Sequence, residues 1–240
     1  MATAHQPFVS VIVPSFKREK LLRECLDALR WQTYAPDRFE VILLTDSNAV
    51  DGSFPFQIIV VGTPPDMSAS AKRNLGAETA KGEILAFIDD DAKADRGWLE
   101  NLIEPFRDRS VAVVSGPNFT PKEATFRERC SGNVLSSFNA NASMVRRYLP
   151  DGRGPREAID SDIILCNMAI RKETFKEIRG FDAALYPCEE NLLCHQVKQK
   201  NGRLFYNPFA VVYHHRRPIL LPHLRQVYTY GKGRGKMVGR

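Results

Sequence analysis

Short, unbroken apolar runs recur through the first half of the chain, separated by more polar segments. Runs of this length, with β-branched residues among them, predict strands buried on both faces of a parallel sheet. They lie at 8–13, 39–44, 57–61, 84–88 and 111–115. The segments between them that show helical spacing or composition lie at 19–31, 70–81 and 98–106. This alternation predicts an α/β fold with an open, mostly parallel central sheet flanked by helices.

The pattern weakens after Pro117, where residues 120–158 show no clear periodicity. A stretch of this length inside a compact domain is typical of a functional or disordered loop. Order returns in five predicted elements: strands at 163–170, 204–206 and 210–213, and helices at 172–178 and 189–200. We therefore expect two halves of one domain, 1–117 and 118–217, followed by an extension over 218–240.

Three consecutive carboxylates, Asp89 to Asp91, directly follow the apolar run 84–88. In open α/β sheets, ligands bind beyond the carboxyl ends of the strands. Acidic side chains placed there repel one another unless a cation neutralises them, and their oxygens suit Mg²⁺ or Mn²⁺. Asp46 ends another predicted strand, so we expect both strand ends to face one nucleotide-binding crevice. The alternative is a solvated acidic loop that caps the next helix.

Composition narrows the class of protein. Apolar residues make up 43% of the chain and charged residues 26%, which is ordinary for a globular protein. The five cysteines form no Cys-x-x-Cys pair and favour a reduced, cytoplasmic protein over a disulfide scaffold or zinc site. No apolar run has the length of a signal segment or membrane helix.

Positive charge is concentrated at the end of the chain, although the net charge is only +6. Between His214 and Arg240 there are seven arginines and lysines and no acidic residue. This asymmetry predicts an anionic partner, and the alternative is a disordered basic tail. The basic residues form no surface interleaved with aromatics of the kind that binds nucleic acid, so we expect no nucleic-acid partner.

Eight motifs occur in the order found in a known family. They are Val9-Ser-Val-Ile-Val-Pro-Ser-Phe-Lys-Arg18, Phe39-Glu-Val-Ile-Leu-Leu-Thr-Asp46, Ala71-Lys-Arg-Asn-Leu-Gly76, Lys81-Gly-Glu-Ile-Leu-Ala-Phe-Ile-Asp-Asp-Asp91, Asn167-Met-Ala-Ile-Arg-Lys172, Gly180-Phe-Asp182, Glu189-Glu190 and Val211-Val-Tyr-His214. Over about residues 8–217 the chain resembles a family 2 glycosyltransferase of the GT-A type, similar to the inverting enzymes of bacterial exopolysaccharide synthesis. The resemblance implies a GT-A fold with a Rossmann-like nucleotide-sugar half (1–117) and an acceptor-binding, catalytic half (118–217).

The resemblance also implies an activity and its donor site. The expected reaction moves a sugar from a nucleotide diphosphate, a UDP-sugar, to a hydroxyl of a glycan or lipid-linked acceptor, with inversion and with Mn²⁺ or Mg²⁺ as cofactor. The implied donor-binding residues are Pro14, Ser15 and Phe16 for base and ribose, Asp46 for the base, Arg73 for base or diphosphate, Asp89 for ribose, and Asp90 for the sugar. The implied metal ligands are Asp91, Asp89 and His214, with His215 as the alternative to His214.

Glu189-Glu190 stands where the family has Glu-Asp, whose second acid is the usual catalytic base. The resemblance therefore implies that Glu190 takes the proton of the acceptor hydroxyl, with Glu189 as the alternative. A purely structural role, as acids at a helix N-terminus, is the competing interpretation. The chain departs from the family at three places: Lys17 replaces Asn, Thr45-Asp46-Ser47 replaces Asp-Asp-Gly, and Leu192-Leu193 replaces polar residues. The last departure leaves the acceptor open.

The segment from Arg225 to Arg234 resembles the one that follows the catalytic domain in membrane-associated bacterial members. It implies a cytoplasmic protein held peripherally at the inner face of the membrane through an anionic surface. Alternatively, Tyr228 and Tyr230 pack on the domain and the tail closes the acceptor cleft. Two other functions compete with transfer: a non-catalytic protein that binds nucleotide sugars or glycans, and a sugar-phosphate nucleotidyltransferase. The latter usually has a glycine-rich loop, which is missing after Val13.

Overall fold

The structure is a computed structural model, and it describes residues 6–47, 52–138, 144–150 and 152–237. The strands are β1 Val9–Pro14, β2 Phe39–Thr45, β3 Gln57–Gly62, β4 Ile84–Ile88, β5 Ala92–Ala94, β6 Val111–Ser115, β7 Asn118–Phe119, β8 Arg156–Glu157, β9 Asn167–Arg171, β10 Arg203–Tyr206 and β11 Val212–His214. The helices are α1 Glu19–Arg30, α2 Ala69–Thr79, α3 Trp98–Ile103, α4 Phe126–Leu135, α5 Lys172–Glu177, α6 Glu189–Gln199 and α7 Leu221–Met237.

Eight strands form a central sheet in the order β3-β2-β1-β4-β9-β6-β10-β8. The neighbours from β3 to β4 run parallel, as do β6 and β10. Strand β9 lies between β4 and β6 and is antiparallel to both, and β8 is antiparallel to β10. The predicted α/β architecture with a mostly parallel sheet is confirmed. Because β9 comes from the second half of the chain, the two halves share one sheet.

Both faces of the sheet are covered, which explains why its strands read as continuous apolar runs. Neighbouring residues of β1 point to opposite faces, so Val11 packs in the cluster with α1 and α3 while Ile12 packs in the other. Leu26 of α1 fills the first cluster, and Phe175 of α5 fills the second together with α2 and α6. Burying one such side chain contributes about 1.5–3 kcal/mol to the free energy of folding. A strand that shifted along the sheet would lose several of these contacts, so the core fixes where the strands end.

A second, small sheet brings residues 212–214 back to the end of β4. Its order is β5-β11-β7. Strand β11 runs antiparallel to β5, with His214 opposite Ala92. Since Ala92 directly follows the three carboxylates, this pairing places His214 beside them.

Several predicted bounds differ from the structure. The predicted strand 163–170 begins at Asn167, whose side-chain amide donates to two backbone carbonyls away from the sheet ladder. The predicted helix 98–106 ends at Ile103 and continues as a 3₁₀ turn through Pro105. A helix, α4, lies in the stretch without periodicity. Its N-terminus is a capping box, in which the Thr125 hydroxyl accepts from the Glu128 backbone amide.

The basic extension also contains a helix, α7, where the sequence had predicted no element. Its inward stripe is His223, Gln226, Tyr230 and Gly233, while most of the remaining positions are exposed. The imidazole of His223 lies 2.6 Å from the Ser131 hydroxyl, which ties α7 to α4. Within the described ranges, no helix is both long enough and apolar enough for a bilayer crossing.

Candidate functional site

A cleft of about 420 Å³ opens beyond the carboxyl ends of β1 and β4. The residues predicted for the site that line it are Pro14, Ser15, Phe16, Arg73, Asp89, Asp90, Asp91, His214 and His215. Asp46, Glu189 and Glu190 are not among the residues that line it. The structure therefore brings together, from four separate parts of the sequence, the residues predicted to bind donor and metal other than Asp46.

A cluster of potential metal ligands lies in this cleft. One ligand atom each from Asp89, Asp91 and His214 lies within 4.8 Å of the others. The two carboxylates suit Mn²⁺ or Mg²⁺, and the imidazole is a ligand more typical of transition metals than of Mg²⁺, so the residues present fit a divalent cation. Without one, the His214 Nε2 atom lies 2.8 Å from Asp91 Oδ1, and Arg18 forms an ion pair with the other Asp91 oxygen.

The charges of this cluster support one another. Burial alone would raise the pKa of Asp91, but His214 and Arg18 hold it well below its usual value. Burial alone would lower the pKa of His214, but the Asp91 carboxylate raises it well above its usual value. Each group thus favours the charged form of the other, and His214 would have to release its proton before its nitrogen could bind a metal.

Asp90 has a different environment from its two neighbours. Its carboxylate is buried and accepts hydrogen bonds from the Ser15 hydroxyl at 2.9 Å and from the Phe16 amide at 3.2 Å. Burial and the charge of Asp91 raise the pKa of Asp90 to about 6, against the lowering effect of Arg18. Asp90 therefore holds the loop after β1 in place beneath the cleft.

The two histidines face different partners. His215 Nδ1 lies 3.2 Å from Glu128 Oε1 of α4, and its Nε2 lies 3.6 Å from Glu24 of α1. His214 instead faces Asp91. His214 is the last residue of β11 and His215 lies just beyond it, so the two side chains leave the strand end in different directions.

Arg73 and Glu189 form a buried group beside the cleft. The Arg73 guanidinium donates from Nη2 to Asp89 at 2.5 Å and from Nη1 to Glu189 at 3.4 Å. The Ser70 hydroxyl donates to the same Glu189 oxygen at 2.6 Å. Arg73 is 4% exposed and Glu189 1% exposed.

Glu190, the next residue of α6, is partly exposed. Burial raises its pKa, the nearby Arg147 lowers it and the negative charge of Glu189 raises it, and together these effects bring it to about 6. A carboxylate with this pKa is ionised at neutral pH but close to the point at which it takes up a proton, which suits a general base.

Asp46 follows β2 and lies two strands away from Asp89 in the sheet. Its Oδ1 atom is buried and has no hydrogen-bond partner among the described residues. Lys72 lies on the cleft side of α2, with its ammonium group 2.6 Å from the Ser15 carbonyl and attracted by the charge of Asp46. A buried acceptor of this kind has the chemistry to receive an N–H group of a base.

Several residues of the cleft were not predicted from the sequence. They include Arg18, Lys72, Tyr148, Tyr186, Arg216, Arg217, Gln226 and Tyr230. Arg18 and Lys72 belong to two of the quoted motifs, so their positions in the loop after the first strand and in α2 could have indicated them. Arg216 is buried over the Tyr148 ring, and its Nη2 donates to Asn118 Oδ1 at 3.0 Å, a contact for which the sequence holds no local signal.

Helix α7 covers part of the cleft. Gln226 and Tyr230 line it, whereas Tyr228 is 69% exposed. The two tyrosines thus differ: Tyr230 packs on the domain, and Tyr228 faces solvent. The face of α7 that carries Tyr230 packs on the domain, as one of the two predictions for the tail has it. The opposite face, which carries Tyr228, is exposed, as the other prediction requires.

Comparison with known proteins places these features in a family. The model of the family described as Glycosyl transferase family 2 matches residues 10–179. The pre-mycofactocin glycosyltransferase of Mycobacterium tuberculosis is 27% identical over 239 residues, covering 93% of this chain and 46% of that protein. The chain spans about half the length of the first curated relatives it matches.

Two solved structures share the fold. One is the mannosyltransferase PcManGT from Pyrobaculum calidifontis in complex with GDP-Man and Mn²⁺, with a TM-score of 0.71, 20% identity, and coverage of 99% of this chain and 66% of that one. The other is S. aureus TarS 1-349 in complex with UDP-GlcNAc, with a TM-score of 0.64, 15% identity, and coverage of 90% and 60%. The predicted GT-A fold and the family resemblance are confirmed.

Proposed function

This chain belongs to glycosyl transferase family 2, and from that premise we propose that it transfers a sugar from a nucleotide diphosphate donor to a hydroxyl group of an acceptor. The observation that carries the proposal is the cluster of Asp89, Asp91 and His214 in a 420 Å³ cleft at the carboxyl ends of parallel strands. This is where open α/β sheets bind nucleotides.

The proposed cofactor is Mn²⁺ or Mg²⁺, held by Asp89, Asp91 and His214. The ionised state of Asp91 and the mixed oxygen and nitrogen donor set support this assignment. Such an ion, when bound, neutralises the charge of the leaving diphosphate. The likeness to a mannosyltransferase solved with GDP-Man and Mn²⁺ supports the same chemistry.

The proposed donor is a UDP-sugar. The resemblance assigns Asp46 to the N3–H group of uracil, although Asp46 does not line the cleft, and it assigns Pro14, Ser15 and Phe16, which do line it, to base and ribose. Arg73 is proposed to contact the base or the diphosphate, and Asp90 is proposed to contact the sugar. The two structural neighbours hold GDP-Man and UDP-GlcNAc, so a donor test needs both bases.

Glu190 is the proposed base. It takes the proton from the acceptor hydroxyl as the hydroxyl oxygen attacks the anomeric carbon, and the bond from that carbon to the diphosphate breaks on the opposite face. Direct displacement of this kind inverts the anomeric centre and needs one base. The raised pKa of Glu190 supports this role, and the burial of Glu189 against Arg73 and Ser70 supports its exclusion.

The proposed acceptor is a glycan or lipid-linked sugar at an anionic membrane surface. We assign residues 1–117 to the donor half, 118–217 to the acceptor half and 218–240 to a membrane-facing extension. The outward face of α7 supports this: Leu221, Leu224 and Tyr228 are at least 57% exposed. Arg225 and Lys232 border them, a combination that suits the inner, anionic leaflet of the cytoplasmic membrane.

A donor panel tests the proposal. Purified protein is incubated with UDP- and GDP-sugars, Mn²⁺ and mixed glycan or lipid-linked acceptors, and release of UDP or GDP is measured. We expect release from at least one donor, its loss in excess chelator, and a fall of ~10²-fold or more in Glu190→Gln. The matched control is Glu78→Gln, which alters an exposed acid of α2. Binding of donors without any release, or pyrophosphate formation from nucleoside triphosphate and sugar phosphate, would contradict transfer.

A further inference from the structure

One guanidinium group connects three elements of the fold. Arg73 lies on α2, Asp89 follows β4, and Glu189 is the first residue of α6. The Arg73 Nη2 atom is 2.5 Å from Asp89 Oδ1, and Nη1 is 3.4 Å from Glu189 Oε1. The chain of contacts therefore runs from a proposed metal ligand to the residue next to the proposed base.

Glu189 is enclosed on all sides. It is 1% exposed, and its Oε1 atom already accepts a hydrogen bond from Ser70 Oγ at 2.6 Å. Its Oε2 atom is buried and has no hydrogen-bond partner among the described residues. A carboxylate so placed cannot reach an acceptor hydroxyl in the cleft, but it can hold a cationic side chain.

The charges explain why Arg73 needs a second acid. Burial disfavours the charged guanidinium, and Asp89 and Glu189 raise its pKa enough to outweigh that effect. A divalent cation that shares the Asp89 carboxylate repels Arg73, because both carry positive charge. Glu189 supplies a negative charge that stays with Arg73 in that state, so the guanidinium keeps its position and Asp89 keeps its orientation.

We propose that Glu189 is a positioning residue for donor binding, acting through Arg73 on Asp89, and that it has no part in proton transfer. This rests on the proposed function. The two adjacent glutamates then serve different halves of the reaction: Glu189 supports the donor and its cation, and Glu190 acts on the acceptor. Groups that orient a ligating carboxylate in this way typically change metal affinity by about 10–100-fold when removed.

The test separates binding from turnover. Isothermal titration calorimetry measures the affinity for Mn²⁺ alone, and then for UDP and for GDP in the presence of Mn²⁺. We expect Glu189→Gln to weaken binding of Mn²⁺ and of the nucleotide that binds by about tenfold or more. In steady-state transfer, we expect this variant to raise the donor KM. Its kcat should stay within about threefold of the wild-type value, because Glu189 takes no part in the chemical step. Glu190→Gln shows the opposite: unchanged binding and a lower kcat.

Two further variants guard against misfolding and non-specific effects. Ser70→Ala removes the other hydrogen bond to Glu189 without touching either acid, so it weakens Mn²⁺ binding in the same direction. Glu78→Gln, on the exposed face of the same helix, leaves every affinity unchanged. Thermal melting compares the folds of all variants.

The outcomes distinguish this inference from the proposed function. Failure of the wild type to bind UDP or GDP with Mn²⁺ overturns the proposed function. If the wild type binds, and Glu189→Gln and Ser70→Ala bind Mn²⁺ and nucleotide as tightly as the wild type does, the positioning role alone is overturned. A kcat lowered in Glu189→Gln with unchanged donor affinity also overturns it, and would make Glu189 the base.

Discussion

At the scale of single residues, the three consecutive aspartates show how one sequence motif produces three environments. Asp89 pairs with Arg73, Asp90 lies under the loop after β1, and Asp91 pairs with His214. The apolar run of β4 predicts where they lie, because both the strand and the ligand site beyond its carboxyl end can be recognised from the local sequence. Their partners are 16 to 123 residues away in sequence, so only the folded chain decides which charge or hydrogen bond each acid meets.

Asp91→Asn tests the metal assignment. Asn retains the shape of Asp91 but has no negative charge for a cation, so binding of UDP or GDP loses its dependence on Mn²⁺. Calorimetry with and without the metal measures this, and circular dichroism checks that the fold is intact. Full transfer by the wild type in excess chelator would contradict the assignment.

The raised pKa of Glu190 predicts a pH profile for kcat. The base acts only when ionised, so the rate falls as pH drops through about 6 and is level above about 7. Below the pKa, each further pH unit lowers the rate about tenfold. Initial rates at saturating donor between pH 5 and 8 measure this limb. A profile that is flat through pH 6 would exclude Glu190 as the base.

The choice between Glu189 and Glu190 could not be made from the sequence. Both acids lie in the first turn of α6, and their spacing allows either to face the cleft. The contacts of Glu189 with Ser70 and Arg73 come from α2, more than a hundred residues earlier in the chain. The sequence likewise left open which histidine lies beside the aspartates, and the pairing of β11 with β5 places His214 there.

At the scale of elements, the strands and helix α1 were predictable from apolar periodicity and α2 from its alanine-rich composition, whereas the two missed helices offered neither signal. Helix α4 shows little segregation of apolar residues, yet the Thr125 and Glu128 pair is a local start signal that the sequence does contain. Helix α7 contains Gly231, Gly233 and Gly235, each of which disfavours helix, so its packing against α4 and the cleft decides its conformation.

The capping box of α4 predicts a measurable contribution to stability. Thr125→Ala removes the hydroxyl that accepts from the Glu128 amide, and the expected loss is about 1 kcal/mol in the free energy of unfolding. Chemical denaturation measures it. Thr125→Ser, which keeps the hydroxyl, is the matched control, and an equal loss in both variants would show that the cap is not responsible.

The outward face of α7 predicts binding to anionic vesicles. Each cation near such a surface contributes ~1 kcal/mol, so Arg225→Gln with Lys232→Gln weakens binding about 30-fold. Flotation with vesicles of neutral and anionic lipid measures it, and rising salt weakens it further. The control replaces two exposed lysines elsewhere, Lys20→Gln with Lys81→Gln. Equal binding to neutral and anionic vesicles would contradict an electrostatic attachment.

At the scale of the whole molecule, the sequence predicted the α/β class and the family but not the order of the strands. Strand β9 inserts antiparallel between β4 and β6, two strands of the first half. The sequence predicted a strand there, yet periodicity alone does not reveal between which neighbours a strand lies. Its residue Met168 is completely buried opposite Phe87 and Ser115, so the core of the first half is completed by the second.

This shared sheet predicts that residues 1–117 do not fold alone. Without β9, the inner edges of β4 and β6 have no partner and the second hydrophobic cluster loses Phe175, Leu193 and Val197. Circular dichroism and amide exchange of the isolated fragment are expected to show an unfolded or aggregated chain. A cooperative melting transition of the fragment would contradict this.

The place of β9 in the sheet also has a consequence for synthesis on the ribosome. After residue 117 has been translated, 54 more residues, from 118 to 171, must follow before β9 is complete. At ~5–20 residues per second this takes roughly 3–11 seconds. During that interval the nascent chain carries apolar strands with open edges, which are the features that favour pairing with other chains. We therefore expect slower translation of residues 118–171 to lengthen the time during which these edges can pair with other chains.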